Sequence, residues 1–236
     1  MDTVFNLITN PFKAFTQLKN EEKFPVTALI ILLVLAFIHL ILNVPIGAKT
    51  QETVMAGMSS LSDEQKDMAL QMTHKLRYLM VLGGFIMYAV ILFIQALLLF
   101  VIAWIFKAQL TYGKALRLII YCMIISIIGA LVNTALVYFH GIDNLTGVYD
   151  SMRIGLNRLT TVEQVGAPLY TFLSNINPFE IWYVILLVIG VKIFTDSAWS
   201  KALLISIIFW LIVVLFPVMS TYFSQTIMAS KGIHIS

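Results

Sequence analysis

The stretch YLMVLGGFIMYAVILFIQALLLFVIAWIF, residues 78–106, decides the fold, because no charged side chain occurs between Arg77 and Lys107. A helix needs about 20 mostly apolar residues to cross the hydrocarbon core of a bilayer. This stretch is longer than that and holds one strongly polar side chain, Gln95. It therefore predicts a membrane-spanning helix.

Four further spans are predicted on either side of it, at about 25–46, 117–139, 177–195 and 201–223. The fourth span has the shortest uncharged run, from Ile181 to Val191. Its start resembles a helix N-terminus, with Asn177 as N-cap, Pro178 at the first helical position and Glu180 at the third. The predicted fold is all-α, an integral membrane bundle of five transmembrane helices with amphipathic interfacial helices.

The composition supports lipid as the main solvent. The chain has 236 residues, of which 60% are hydrophobic and 11% are charged, and its mean hydropathy is +0.92. Soluble domains have about 25% charged residues. The net charge of +3 is small and the basic residues form no cluster with aromatic residues, so no nucleic-acid partner is predicted.

The chain divides into residues 1–24 and 25–236. Phe5, Ile8, Phe12 and Phe15 recur at helical spacing, which predicts an amphipathic N-terminal helix at the cytoplasmic interface. The second part is the five-span membrane domain. The Lys and Arg residues are densest in segments that share a side with the N-terminus, which places the N-terminus in the cytoplasm and the C-terminus outside.

A second amphipathic stripe precedes residues 78–106. Met68, Met72, Leu76 and Leu79 share one helix face that runs into that span. Packing against the bundle or lipid headgroups is the simpler interpretation, and recognition of a partner is the alternative.

Catalytic motifs are absent from the sequence. It contains no Gly-rich phosphate loop, no His-Glu-x-x-His pair and no Gly-x-Ser-x-Gly elbow. No span carries Asp or Glu near its middle, where ion-coupled carriers and intramembrane proteases need such residues. The sequence therefore predicts no enzyme, no catalytic residue, no cofactor and no metal site.

Few polar side chains lie inside the spans. His39 and Asn43 are four residues apart and share a helix face, and Asn133 is predicted at a similar depth. Together with Gln95 they form a candidate intramembrane polar cluster. It could bind a headgroup, a peptide or a partner helix, or it could provide hydrogen bonds that fix helix packing.

Several short motifs resemble the prokaryotic branch of the Yip family, the Ypt/Rab-interacting proteins. They are residues 10–15 (NPFKAF), 112–117 (YGKALR), 177–182 (NPFEIW), 186–191 (LLVIGV) and 200–203 (SKAL). The residues that carry the likeness are Pro11, Phe15, Asn177, Pro178, Phe179, Trp182, Gly190 and Lys201. The resemblance implies five spans, a cytoplasmic N-terminus and no catalytic residues.

The resemblance also suggests partners. Eukaryotic members resemble adaptors for small GTPases, but the N-terminal stretch of this chain is too short for a folded adaptor domain. Some prokaryotic relatives look like accessory partners of ABC-type export systems. We therefore expect a non-enzymatic scaffold or accessory protein of the bacterial plasma membrane, with lipids and a transporter as partners. A homo-oligomer and a permease or binding protein for a small solute, peptide or lipid remain alternatives.

Overall fold

The computed structural model describes residues 2–21, 23–57, 62–145 and 147–230. These residues form α-helices joined by short loops and 3-10 turns, with no strand among them. The helices are α1 (Asp2–Thr9), α2 (Pro11–Asn20), α3 (Val26–Gly57), α4 (Asp63–Ile105), α5 (Tyr112–His140), α6 (Val162–Val165), α7 (Ala167–Ser174), α8 (Pro178–Thr195) and α9 (Trp199–Ser230).

Among the described residues, five helices are long and apolar enough to cross a membrane, which confirms the predicted fold class. The candidate spans are Val26–Ala56, Lys75–Ile105, Tyr112–His140, Pro178–Thr195 and Trp199–Ser224. The helices α3 and α4 continue well past the predicted limits of 46 and 78, with 32 and 43 residues respectively. Hydropathy marks only the apolar part of a helix, so it misses these polar extensions.

The N-terminal stretch holds two helices, where the apolar pattern predicts one. Asn10 lies outside helical geometry, and its side chain accepts a hydrogen bond from the Lys13 backbone N–H at 3.1 Å. Pro11 follows at the first position of α2, where a missing N–H costs nothing. The Asn-Pro pair therefore ends α1 and starts α2.

The described chain forms two compact units. The first comprises Met1–Ala36, Met87–Gly129 and Pro178–Val213, and the second comprises Phe37–Ile86, Ala130–Asn177 and Val214–Ser236. The boundaries fall inside α3, α4, α5 and α9, so each of these helices contributes to both units.

In the first unit, α5 is the core helix. Its residues from Ala115 to Ile125 are buried all round, apart from a half-buried Arg117. A helix that is apolar and covered on every side belongs at the centre of a bundle. The core also includes fully buried Leu99 on α4, Leu187 on α8 and Phe209 on α9.

In the second unit, a small core forms where the loop after α5 folds back. Ile46, Val137 and Leu145 are buried together, with Ile142 packed against them. Further along the loop, the Leu156 backbone N–H donates to the Ile176 carbonyl at 3.1 Å. The loop from 141 to 177 is therefore held by its own packing and backbone hydrogen bonds.

Candidate functional site

A polar contact set in the second unit contains two of the predicted site residues. The Asn43 amide nitrogen lies 2.9 Å from His39 Nδ1 and donates to Thr134 Oγ1 at 3.0 Å. Thr134 Oγ1 is in turn 3.3 Å from His39 Nδ1 and is buried. The polar atoms of the three side chains therefore contact one another between α3 and α5.

Asn133 is the next residue along α5 but faces a different neighbour. Its amide donates to the Ser151 carbonyl at 2.8 Å, and its side-chain oxygen accepts from the Arg153 backbone N–H at 2.7 Å. Asn133 therefore anchors the loop after α5 to the helix. The sequence pattern pointed to Asn133, whereas the contact with His39 and Asn43 comes from Thr134.

Gln95 belongs to the first unit, on α4. Its side-chain oxygen is buried and has no hydrogen-bond partner among the described residues. The predicted cluster of four residues is thus divided, with His39, Asn43 and Asn133 in one unit and Gln95 in the other.

The first unit also holds a polar contact that the sequence analysis missed. Ser126 on α5 donates to Glu180 Oε1 on α8 at 2.6 Å, and the Trp210 indole interacts with the same carboxyl group. From the sequence pattern, Glu180 is only the third residue of a helix start. Glu180 lies in the first turn of a span and faces a serine on another helix. The spacing of apolar residues along the sequence does not reveal such a contact.

Glycines on α5 and α8 let these two helices approach closely. A Cβ atom at Gly129 would lie 2.6 Å from Cβ of Phe179, and a Cβ at Gly190 would collide with the Leu118 side chain. Small residues serve this purpose in membrane helix pairs. Each helix therefore presents one glycine and one large side chain to the other.

Polar contacts fasten α2 to the rest of the first unit. The Arg117 guanidinium donates to the carbonyl of Leu18 at 2.7 Å, to that of Lys23 at 3.0 Å and to that of Glu21. Lys19 Nζ lies 2.5 Å from Asp196 Oδ2. The Arg117 guanidinium satisfies backbone carbonyls at and just after the end of α2. The ion pair of Lys19 with Asp196 links α2 to the connection between α8 and α9.

Apolar contacts complete the same attachment. Phe15 is fully buried and meets Phe194 edge to face, with 6.4 Å between the ring centroids. Phe12 and Trp199 form a similar pair at 5.7 Å. α2 is therefore attached through an apolar interface and through a polar clasp, which consists of the contacts of Arg117 and Lys19.

The strength of the ion pair between Lys19 and Asp196 should depend on pH. The hydrogen bond and charge of Lys19, followed by the charges of Lys192 and Lys114, lower the pKa of Asp196 from its ordinary value. A folded-state pKa below the unfolded one adds stability above about pH 3.9, and this contribution is lost as the pH falls through the folded value. We expect the protection of the amides in residues 11–20, measured relative to their intrinsic exchange rates at each pH, to fall on acidification, and Asp196→Asn to remove that part of the dependence.

The control for this experiment is Asp67→Asn, a change at an exposed carboxylate on α4. This variant should keep the acid-dependent exchange of the wild-type protein. If Asp196→Asn and Asp67→Asn respond to acid alike, the ion pair does not fasten α2.

The residues that carry the family likeness lie at helix starts and helix contacts. Pro11 and Pro178 begin α2 and α8, and Asn177 donates to the Ser174 carbonyl at 3.2 Å. Phe15, Phe179 and Gly190 form the contacts described above. Trp182 has a buried indole N–H without a partner among the described residues, and Lys201 is half-buried near the start of α9.

The family to which the chain belongs follows from a match to a protein-family model. The model of the Yip1 domain matches residues 5–221. This chain belongs to the Yip1 domain family. No curated protein and no solved structure matches it. Yip1 domain proteins are membrane proteins that interact with other proteins and are not known as enzymes.

The described part of the chain contains no candidate metal site. No group of three or more His, Cys, Asp or Glu residues is placed to hold an ion there. What the arrangement offers instead is helix contact, loop anchoring and an attached N-terminal segment.

Proposed function

We propose that this Yip1 domain protein is a non-enzymatic membrane scaffold or accessory protein that acts through contacts with another membrane protein. The observation that carries the proposal is an amphipathic stripe on the extension of α4. The stripe is apolar, lies on a helix and is largely uncovered. Its members and their exposed fractions are Met68 (63%), Met72 (58%), Leu76 (44%) and Leu79 (62%).

The stripe is carried beyond the apolar part of the helix. α4 is unbroken from Asp63 to Ile105, and its uncharged stretch begins only after Arg77. At 1.5 Å per residue, the part from Asp63 to Arg77 is about 20 Å long. Lipid tails cannot cover the outer end of such an extension, so its exposed methionines are available to a protein partner.

A neighbouring helix holds the extension in place. Gln51 on α3 donates from its amide nitrogen to Thr73 Oγ1 on α4 at 2.7 Å. Thr73 is on the covered side of the extension, while Met68 and Met72 face away. Methionine side chains are flexible and polarisable, which suits adaptable recognition of an apolar helix face.

The partner class and the placement follow from family likeness and charge. An ABC-type export system is the partner that the family resemblance favours. We place the protein in the bacterial plasma membrane with its N-terminus in the cytoplasm and its C-terminus outside, because the basic residues are densest on the N-terminal side.

Copurification from native membranes in mild detergent, read by mass spectrometry, tests the proposal. We expect the wild-type protein to recover a membrane-protein complex, and Met72→Lys to lower that recovery about tenfold or more. Burying an unpaired charge in the interface would cost at least the corresponding 1.4 kcal/mol. Gln71→Lys adds the same charge to an exposed neighbouring position and should leave recovery unchanged. Recovery of the protein alone, or equal recovery with both variants, would contradict the proposal.

A permease has less support. A polar path would need side chains with spare hydrogen-bonding capacity, yet Asn43 is engaged by Thr134 and Asn133 is engaged by the loop backbone. Gln95 has an unpartnered oxygen but belongs to the other unit. These contacts support a packing role for both residues.

A further inference from the structure

A cavity of about 500 Å³ lies in the second unit, between α3 and α4. Residues Ile142 and Asp143, from the 3-10 turn after α5, also line it. The lining of the cavity changes from apolar to charged along the helices. Leu40, Val44 and Val81 line one end, and charged side chains line the other.

The apolar end belongs to the membrane spans. Leu40 and Val44 lie in the uncharged stretch of α3 that ends before Lys49, and Val81 lies in the uncharged stretch of α4 that begins after Arg77. From Leu40 to Glu52 the wall follows α3 for about 18 Å, at 1.5 Å per residue. A space of this length, apolar at one end and polar at the other, matches part of an acyl chain with its headgroup.

The polar end carries charges of both signs. Lys49 and Arg77 supply the positive charges, and Glu52 and Asp143 supply the negative ones. Lys49 Nζ is 3.6 Å from Glu52 Oε2, a long ion pair. Arg77 is exposed and lies over the Tyr78 ring, with its guanidinium carbon 4.8 Å from the centroid. The rim therefore offers both cationic donors and carboxylate acceptors to one headgroup.

We propose that this cavity binds a bilayer phospholipid whose headgroup carries both a phosphate and a primary ammonium group. The phosphate is held by Arg77 and Lys49, because guanidinium and ammonium groups are strong donors to phosphate. The ammonium group is held by Asp143 and Glu52, which can accept its N–H bonds. A quaternary ammonium has no N–H to donate, and a glycerol headgroup has no positive charge.

A steric plug tests the cavity without touching its charges. Gly47 lines the cavity, and a Cβ atom there would meet nothing within 4 Å. Gly47→Phe should block part of the space and leave the fold intact, since non-glycine residues favour a helix. Gly83 on α4 is equally open but outside the lining, so Gly83→Phe is the matched control.

The measurement is native mass spectrometry of the full chain released from detergent after exposure to phosphatidylethanolamine. We expect the wild-type protein and Gly83→Phe to retain one lipid, and Gly47→Phe to retain about tenfold less or none. Equal retention by Gly47→Phe and Gly83→Phe would overturn the proposal. So would the absence of retained lipid on the wild-type protein.

A second arm tests the headgroup. Phosphatidylcholine and phosphatidylglycerol should each be retained about tenfold less than phosphatidylethanolamine, the factor that one hydrogen bond to a charged group provides. Asp143→Asn should lower the retention of phosphatidylethanolamine towards that of phosphatidylcholine, with Glu52 left as one acceptor, whereas Asp67→Asn should not lower it. Equal retention of the three lipids by the wild-type protein would overturn the assignment of the ammonium group to Asp143 and Glu52.

Discussion

Replacing Gly129 by alanine should lower the free energy of unfolding by about 2 kcal/mol. The new methyl group would lie 2.6 Å from Cβ of Phe179, an atom bound directly to the α8 backbone. Overpacking a close contact costs about 1–3 kcal/mol, and the better helix propensity of alanine returns less than about 1 kcal/mol. Reversible unfolding in mixed micelles, by titration with a denaturing detergent, would measure the loss.

Gly113 gives the matched control. It lies on the same helix, α5, and a Cβ atom there would meet nothing within 4 Å. Gly113→Ala should therefore be neutral or slightly stabilising. Adding Phe179→Gly to Gly129→Ala should relieve the clash, because glycine removes the Cβ atom that the new methyl group would meet, so the two changes should cost less together than the sum of each alone. Equal stability of the Gly129 and Gly113 variants would refute the close approach of α5 and α8.

Replacing Arg117 by lysine should weaken the attachment of α2 to the rest of the first unit. Lysine keeps the charge but lacks the planar fork that reaches the carbonyls of Leu18, Glu21 and Lys23. A hydrogen bond to a charged group contributes about 1.5–3 kcal/mol, so losing one or two should raise the opening equilibrium of α2 by tenfold or more. Hydrogen exchange of residues 11–20 would report this opening.

Arg158→Lys is the control for that experiment, because Arg158 is exposed in a 3-10 turn of the second unit. It should leave the exchange of α2 unchanged. If Arg117→Lys protects residues 11–20 as well as the wild-type protein does, the apolar packing of α2 and the Lys19–Asp196 ion pair hold the helix without the guanidinium. The guanidinium clasp would then contribute nothing measurable.

The spans could be predicted because each depends on a local property, the apolar content of about 20 consecutive residues. The start of α8 at Pro178 and the break at Asn10 and Pro11 follow equally local rules. The polar extensions of α3 and α4 could not be found this way, since a helix that leaves the apolar stretch loses the hydropathy signal. Their continuity depends on partners such as Gln51 and Thr73.

The candidate site was predicted only in part, because polar contacts depend on which helices are neighbours. The four-residue spacing of His39 and Asn43 predicts a shared face, and the two side chains are indeed adjacent. The choice of Thr134 over Asn133 as their neighbour depends on the rotation of α5, which sequence spacing does not specify. The contact between Ser126 and Glu180 joins two helices that are far apart in sequence, so no local pattern contains it.

The two glycine contacts between α5 and α8 also restrict how this pair can move. Leu118 and Gly129 on α5 are about three helical turns apart, as are Phe179 and Gly190 on α8, and the pairs match in antiparallel order. A slip of one helix along the other by one turn, about 5.4 Å, would carry both large side chains off their glycines at once. The pair therefore has a single register and resists shear. Conformational change in the first unit should carry α5 and α8 together as one rigid piece.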